Sequence, residues 1–192
     1  MNSRPHRPEN AEFELRKAYN VVIDGSVPFF WEKRVISGVN PAESAEMYHH
    51  AYDCYRRDQK LAAERWARAS KHLSRAFASE AKIAYLDSHS ADLPFLEGAS
   101  PEAFNLHEKS DTTADLLNSV AELIPQGPEQ LPSAMNRYLS QARIHLEVLN
   151  HEDYPHELPR AERIRAAYEY GRVLELMALA YEAEHSTQKK SA

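Results

Sequence analysis

The chain has 192 residues, 43% of them hydrophobic and 27% charged, with a formal net charge of -6. That is enough apolar material for a packed core in one domain, so a wholly disordered chain is excluded, and the acidic balance argues against a surface built to coat nucleic acid. Five glycines and one cysteine, Cys54, disfavour a turn-rich β fold and exclude an intrachain disulfide or a zinc site made of cysteines alone; a single thiol suits a reducing cytoplasm.

Met1–Asn10 is polar, with prolines at positions 5 and 8 and no apolar run ahead of a cleavage site, so it reads as a flexible arm and not as a signal peptide. No apolar run reaches the roughly 18 residues that a membrane span needs, and no membrane partner is expected. Ala11–Asp24 reads as a first helix stopped by Gly25. Pro28 then opens a short apolar turn or helix over Val27–Ile36, containing Phe29, Phe30 and Trp31, and Ser37-Gly38 ends it.

Asn40 is placed to cap the next helix, Pro41 takes its first position, and Glu43 follows three residues after the cap, which is close to a capping box. This helix runs to about Arg57 with the stripe Ala45, Tyr48, Ala51, Tyr52 and Tyr55. The three tyrosines read as packing between helices. After a break near Asp58, Leu61–Leu86 is a long helix whose stripe is Ala62, Trp66, Ala69, Leu73, Ala76, Phe77 and Ala84.

Asp87–Ala99 reads as a loop. A helix restarts at Ser100-Pro101-Glu102, with a break expected near Ser110-Asp111, and ends before Pro125. Pro132–Asn150 is helical, with Met135, Leu139, Ala142, Leu146 and Leu149 on one face. A proline-containing loop over His151–Leu158 leads to a last helix from Pro159 to about Glu184, where Ala167, Gly171 and Ala178 permit close approach and Leu174, Met177 and Tyr181 add bulk. That helix should be central. The expected fold is all-α, a bundle or stacked antiparallel hairpins of five to seven helices, as one domain over residues 11–185 with a polar tail over 186–192.

Tyr55, Asp58, Ala62, Trp66 and Ala69 give an aromatic, an acidic turn, then alanine, aromatic and alanine at spacings of four and three. In this rhythm the hairpin from Ala45 to Leu73 resembles a tetratricopeptide repeat. The resemblance implies a protein-binding scaffold without catalysis. Arg65 and His72, with six residues between them, resemble the signature of the HEPN family, helical domains that include metal-independent ribonucleases. That resemblance implies His72 as general acid/base and Arg65 as the group that stabilises phosphorane charge. Glu46-x-x-His49 and Glu182-x-x-His185 match the Glu-x-x-His element of ferritin-like bundles. Glu46, however, points away from the apolar stripe of its helix, and His185 lies near a helix end.

On the Leu61 helix, Lys60, Arg68, Lys71, Arg75 and Lys82 fall within roughly 80° of arc at 100° per residue. They could form a face for an acidic partner or phosphates, against the plainer reading of a solvated face partly neutralised by Glu64. Glu80 and His145 interrupt or edge apolar stripes, and each needs a partner if buried. His49, His50 and Asp53 could reach a metal through one helical turn. Phosphate-cradling glycine loops and nucleophile motifs are absent from the sequence. The leading expectation is a non-enzymatic helical domain that binds a protein partner or itself, without a cofactor. A HEPN-like RNA-binding protein or ribonuclease is the alternative, and a ferritin-like metal-binding bundle the second.

Overall fold

The computed structural model describes residues 8–32, 39–88, 105–125, 130–149 and 157–188. Among them are six helices and no strand: α1 (Pro8–Glu32), α2 (Ala42–Arg56), α3 (Lys60–Ser88), α4 (Leu106–Ala121), α5 (Gln130–Val148) and α6 (Glu157–Gln188). The chain is all-α, and none of these helices is long and apolar enough to cross a membrane.

The long helices α3 and α6 form the spine. They run antiparallel, since Ser79 on α3 meets Glu162 near the start of α6 while Trp66 meets Glu184 near its end. Helices α1 and α2 pack on α3, and α4 and α5 pack on α6. The sequence reading placed the last helix at the centre. Ile164, Ala167, Tyr170, Val173, Leu174, Leu176, Met177 and Ala180 are all buried, and at 100° per residue they cover about two thirds of the circumference of α6, while Arg165, Tyr168 and Glu182 are exposed. An apolar arc this wide is more than one neighbour can cover, so the helix must lie among several others.

Gly171 permits a close approach of α4: a Cβ there would sit 2.8 Å from Leu116 Cδ2 and 3.2 Å from Leu117 Cδ2. On α3 the buried face is wider than the expected stripe, because Ala63, Ala67, Ser70 and Ser74 are buried as well. The two serine hydroxyls donate to carbonyls on their own helix, Ala67 O and Ser70 O, each at 3.1 Å. They can therefore be buried without an unmet donor. The buried face of α1 is made of Ala11, Leu15, Ala18 and Val22.

Local signals set the helix ends. Asn40 Oδ1 accepts from the Ala42 N–H at 3.2 Å, as a capping residue should. Glu43 does not complete the box; its carboxylate instead accepts from Arg137 at 2.8 Å and Tyr138 at 2.7 Å on α5. At the other end of α2, Gln59 N–H bonds to Cys54 O and Asp58 N–H to Tyr55 O, with Asp58 left-handed at φ 60°. This is a Schellman closure with aspartate where glycine is usual, and aspartate tolerates that conformation better than most residues. The closure turns the chain sharply into α3 and fixes the last turn of α2, which carries Cys54.

Several boundaries differ from expectation, beginning with the start of α1 at Pro8, inside the arm expected to be flexible. Helix α1 continues through Gly25 and Pro28 to Glu32, absorbing one interior glycine that costs about 1 kcal/mol and a proline that costs about 3 kcal/mol. Helix α4 passes unbroken through Ser110-Asp111, with Thr113 Oγ1 bonded back to Lys109 O at 2.7 Å. Helix α6 reaches Gln188. The loops expected over Asp87–Ala99 and His151–Leu158 lie largely outside the described residues, as do most of the helix start at Ser100 and the terminal segments 1–7 and 189–192.

Candidate functional site

Helices α1 and α2 lie side by side on α3, and a groove of about 510 Å³ runs between them. Its walls are Glu12, Leu15, Arg16, Tyr19 and Asn20 from α1 and Tyr48, Tyr52 and Tyr55 from α2. The α2 tyrosines recur at i, i+4 and i+7, one stripe of a helix. That stripe is displaced from the buried one, which is Ser44, Ala51 and Cys54. Tyr52 is 47% exposed and Tyr19 52%, while Tyr48 and Tyr55 are half-buried. The rings of Tyr19 and Tyr48 meet tilted, with centroids 6.0 Å apart.

The α2 tyrosines expected to pack between helices thus do so only in part and otherwise wall an open groove. Tyr19 was missed, and its signal is its place on α1: it falls to one side of the face defined by Leu15, Ala18 and Val22. Burial, followed by the neighbouring Tyr19 and Tyr52 hydroxyls, pushes the Tyr48 phenol up from its ordinary value, so this hydroxyl stays a neutral donor at physiological pH. On the rim, Arg16 and Glu12 pair at 2.6 Å and cancel each other's charge.

The residues singled out from the sequence are scattered. Along the expected basic stripe, Lys71 is nearly buried and pairs with Glu14 of α1 at 2.7 Å, Lys82 pairs with Glu162 of α6 at 3.4 Å, and Lys60 pairs with Asp58 at 3.3 Å. Arg68 lies 3.8 Å from Glu64, and Arg75 is exposed. The stripe therefore borders both α1 and α6. Arg65 and His72 both face α6: the Arg65 guanidinium donates to the Leu179 carbonyl at 2.6 Å, and His72 Nδ1 pairs with Glu169 at 2.5 Å. Glu46, His49, Glu182 and His185 are all exposed, and His185 Nδ1 donates to the Tyr181 carbonyl at 2.8 Å. Among the described residues these four join no group of three ligating atoms, and His49 and Asp53 join none with His50.

Glu80 and His145 meet in the core. His145 Nε2 donates to Glu80 Oε1 at 2.8 Å, and Gln141 Nε2 and the Tyr170 hydroxyl donate to the same oxygen at 3.2 and 3.1 Å. The imidazole stacks on the Tyr170 ring at 12°. Burial pushes the Glu80 carboxyl up, but the His145, Gln141 and Tyr170 donors outweigh it and hold it below the ordinary value of 4.5. A carboxyl that titrates lower in the folded than in the unfolded chain stabilises fully above the unfolded value and loses that contribution as pH falls through the folded one. Urea unfolding below pH 4.5 should therefore lose stability more steeply in the parent than in Glu80→Gln. Equal slopes would contradict the assignment.

A second polar cluster closes the end of the bundle where α2 finishes, α3 begins and α6 nears its last turn. Glu184 Oε2 accepts from His50 Nε2 at 3.1 Å and from Trp66 Nε1 at 3.3 Å, and Arg57 reaches Glu184 Oε1 at 3.5 Å. Burial raises the Glu184 carboxyl, yet His50, Trp66 and Arg57 together bring it below its ordinary value. Cys54 Sγ lies 3.8 Å from His50 Nε2 and 3.6 Å from Arg57 Nη2. Burial, reinforced by Glu184, pushes its thiol up to about 11, so at neutral pH it is protonated and a poor nucleophile.

A further cavity of about 570 Å³ lies between α4 and the first half of α6, lined in part by Leu106, Thr113, Ile164 and Tyr168. No family model, no curated protein and no solved structure matches this chain.

Proposed function

We propose that the chain is a non-catalytic helical interaction module, and that the groove between α1 and α2 receives a short, extended, proline-rich segment of a partner protein. The observation that carries this reading is the grouping of four tyrosines from two helices around one open groove. Tyrosine presents a large rigid face at low entropic cost and a hydroxyl that can bond a peptide carbonyl. Aromatic-walled grooves suit polyproline segments, which are already extended and leave their carbonyls free.

The walls are helices whose interior backbone groups are already bonded, so an added β-strand would find no partners there. The self-neutralised Glu12–Arg16 pair on the rim favours a ligand of little net charge over an acidic or basic one. The helical hairpin α2–α3, whose sequence resembles a tetratricopeptide repeat, agrees with a scaffold role.

Decaproline is a suitable probe. In isothermal titration, Tyr52→Ala should weaken its binding by roughly 10- to 100-fold, the size expected for a central aromatic anchor. The melting temperature should hold, because Tyr52 is exposed. Ile144→Ala, an exposed apolar residue on α5, should bind like the parent. Equal binding by Tyr52→Ala and the parent would defeat the reading. So would the absence of decaproline binding combined with a Tyr52-dependent dimer in sedimentation, which would assign the groove to a second copy of the chain.

A further inference from the structure

We propose that His50, Cys54 and Glu184 form a binding site for a zinc-class divalent metal ion, with three protein ligands and a fourth position open towards solvent. The site is independent of the tyrosine groove: on α2, Cys54 belongs to the buried stripe and His50 lies beyond it, on the side away from Tyr48, Tyr52 and Tyr55.

The geometry is the first argument. A ligating nitrogen, sulfur and oxygen from these three residues all lie within 4.8 Å of one another, and no other such group forms among the described residues. A tetrahedral zinc with Zn–S of about 2.3 Å and Zn–N or Zn–O of about 2.05 Å sets its ligands ~3.6 Å (S···N) and ~3.3 Å (N···O) apart. The corresponding distances are 3.8 Å for Cys54 Sγ to His50 Nε2 and 3.1 Å for His50 Nε2 to Glu184 Oε2. These two distances lie within about 0.2 Å of the tetrahedral values, and Cys54 Sγ and the Glu184 oxygen are at most 4.8 Å apart, so the third edge closes by a side-chain adjustment.

The supports of the ligands are the second argument. His50 and Cys54 are one helical turn apart, and Cys54 lies on the last turn of α2, which the Asp58 closure fixes. The His50 ring meets the Trp66 ring edge-on, with centroids 5.0 Å apart and an interplanar angle of 88°. Trp66 Nε1 holds the Glu184 carboxylate. Such outer partners orient ligands before the metal arrives.

Charge and access are the third argument. Cys54 as thiolate and Glu184 as carboxylate together carry the two negative charges that a divalent ion neutralises. Without the ion, Arg57 is the cation that faces both. The Arg57 side chain is 50% exposed and that of His50 42%, so the guanidinium has room to withdraw and the ion a way in beside the imidazole. Coordination releases the Cys54 thiol proton to solvent and takes His50 as the neutral imidazole with its proton on Nδ1, so that the Nε2 position bonded to Glu184 in the ion-free chain is free to ligate. The donor set of thiolate, imidazole and carboxylate selects zinc, cobalt or a related ion over calcium and magnesium, which prefer oxygen alone.

Cobalt(II) added to the full-length reduced chain is the probe. We expect one ion per chain, a near-ultraviolet thiolate-to-cobalt charge-transfer band, and its displacement by zinc. Cys54→Ser should remove the band, and His50→Ala should weaken binding by roughly 100-fold or more, beyond the usual loss of an outer partner. Glu182→Gln, exposed on the same helix, should bind like the parent. Absence of the band at excess cobalt would overturn the site, as would a His50→Ala variant that binds as the parent does. Because Cys54 is fully buried, its variant is read only if its melting curve stays cooperative; the half-exposed His50 decides the matter otherwise.

Discussion

Replacing His145 by alanine is expected to lower the unfolding free energy by about 3–5 kcal/mol, the usual cost of leaving a buried carboxylate without its partner. The Glu80 side chain is 7% exposed and that of His145 3%. Without the imidazole, Glu80 keeps two neutral donors, Gln141 and Tyr170, and loses the one group there that can carry positive charge. The stacking of the ring on Tyr170 disappears as well.

In a chain of this length each kcal/mol moves the melting temperature by roughly 2–4 °C, so the drop should be about 6–20 °C. The double variant Glu80→Leu/His145→Leu should regain at least half of the loss, because removing both polar side chains also removes the desolvation cost of the carboxylate. By contrast, Glu12→Ala breaks a pair whose members are 78% and 55% exposed and should change stability by less than about 1 kcal/mol. Urea unfolding followed by circular dichroism checks all three. A double variant less stable than His145→Ala would contradict the account of the pair.

Trp66→Ala should cost about 3–5 kcal/mol, the range for truncating a large buried aromatic. Trp66 is 6% exposed and packs in the main core cluster. Its body fills the space between α2 and α3 beside His50, and its indole N–H satisfies Glu184. Trp66→Phe keeps most of the body and removes the donor, so it should cost less, about 1–3 kcal/mol for a lost hydrogen bond to a charged group. Equal losses in the two variants would mean that the hydrogen bond, and not the packing, dominates.

The fold was legible in the sequence because its helices are long and their stripes regular. Ala62, Trp66, Leu73 and Phe77 on α3, and Leu174 and Met177 on α6, are buried as their spacing predicts. The sequence hid what depends on which helix packs where. Glu43 carried a capping signal, yet its carboxylate serves Arg137 and Tyr138 on a helix 94 and 95 residues away. The union of His50 and Cys54 with Glu184 joins positions 134 and 130 residues apart, and only the antiparallel α3–α6 spine beside α2 brings them together. Local metal motifs pointed to Glu46, His49, Glu182 and His185, all exposed, and His50 was singled out only with His49 and Asp53, not with Cys54 and Glu184. Glu80 and His145 were flagged as residues in need of partners, and each turned out to be the other's. The groove escaped notice because its tyrosines continue an apolar stripe, and only the placement of α1 shows which rings stay open.

The most direct measurement of the recognition groove follows the ring resonances of Tyr19, Tyr48, Tyr52 and Tyr55 by NMR as decaproline is added. The account predicts saturable shifts at these four rings, with Tyr85 and Tyr168, exposed on other helices, unmoved. Shifts centred elsewhere, or no saturable shift at the four, would contradict it.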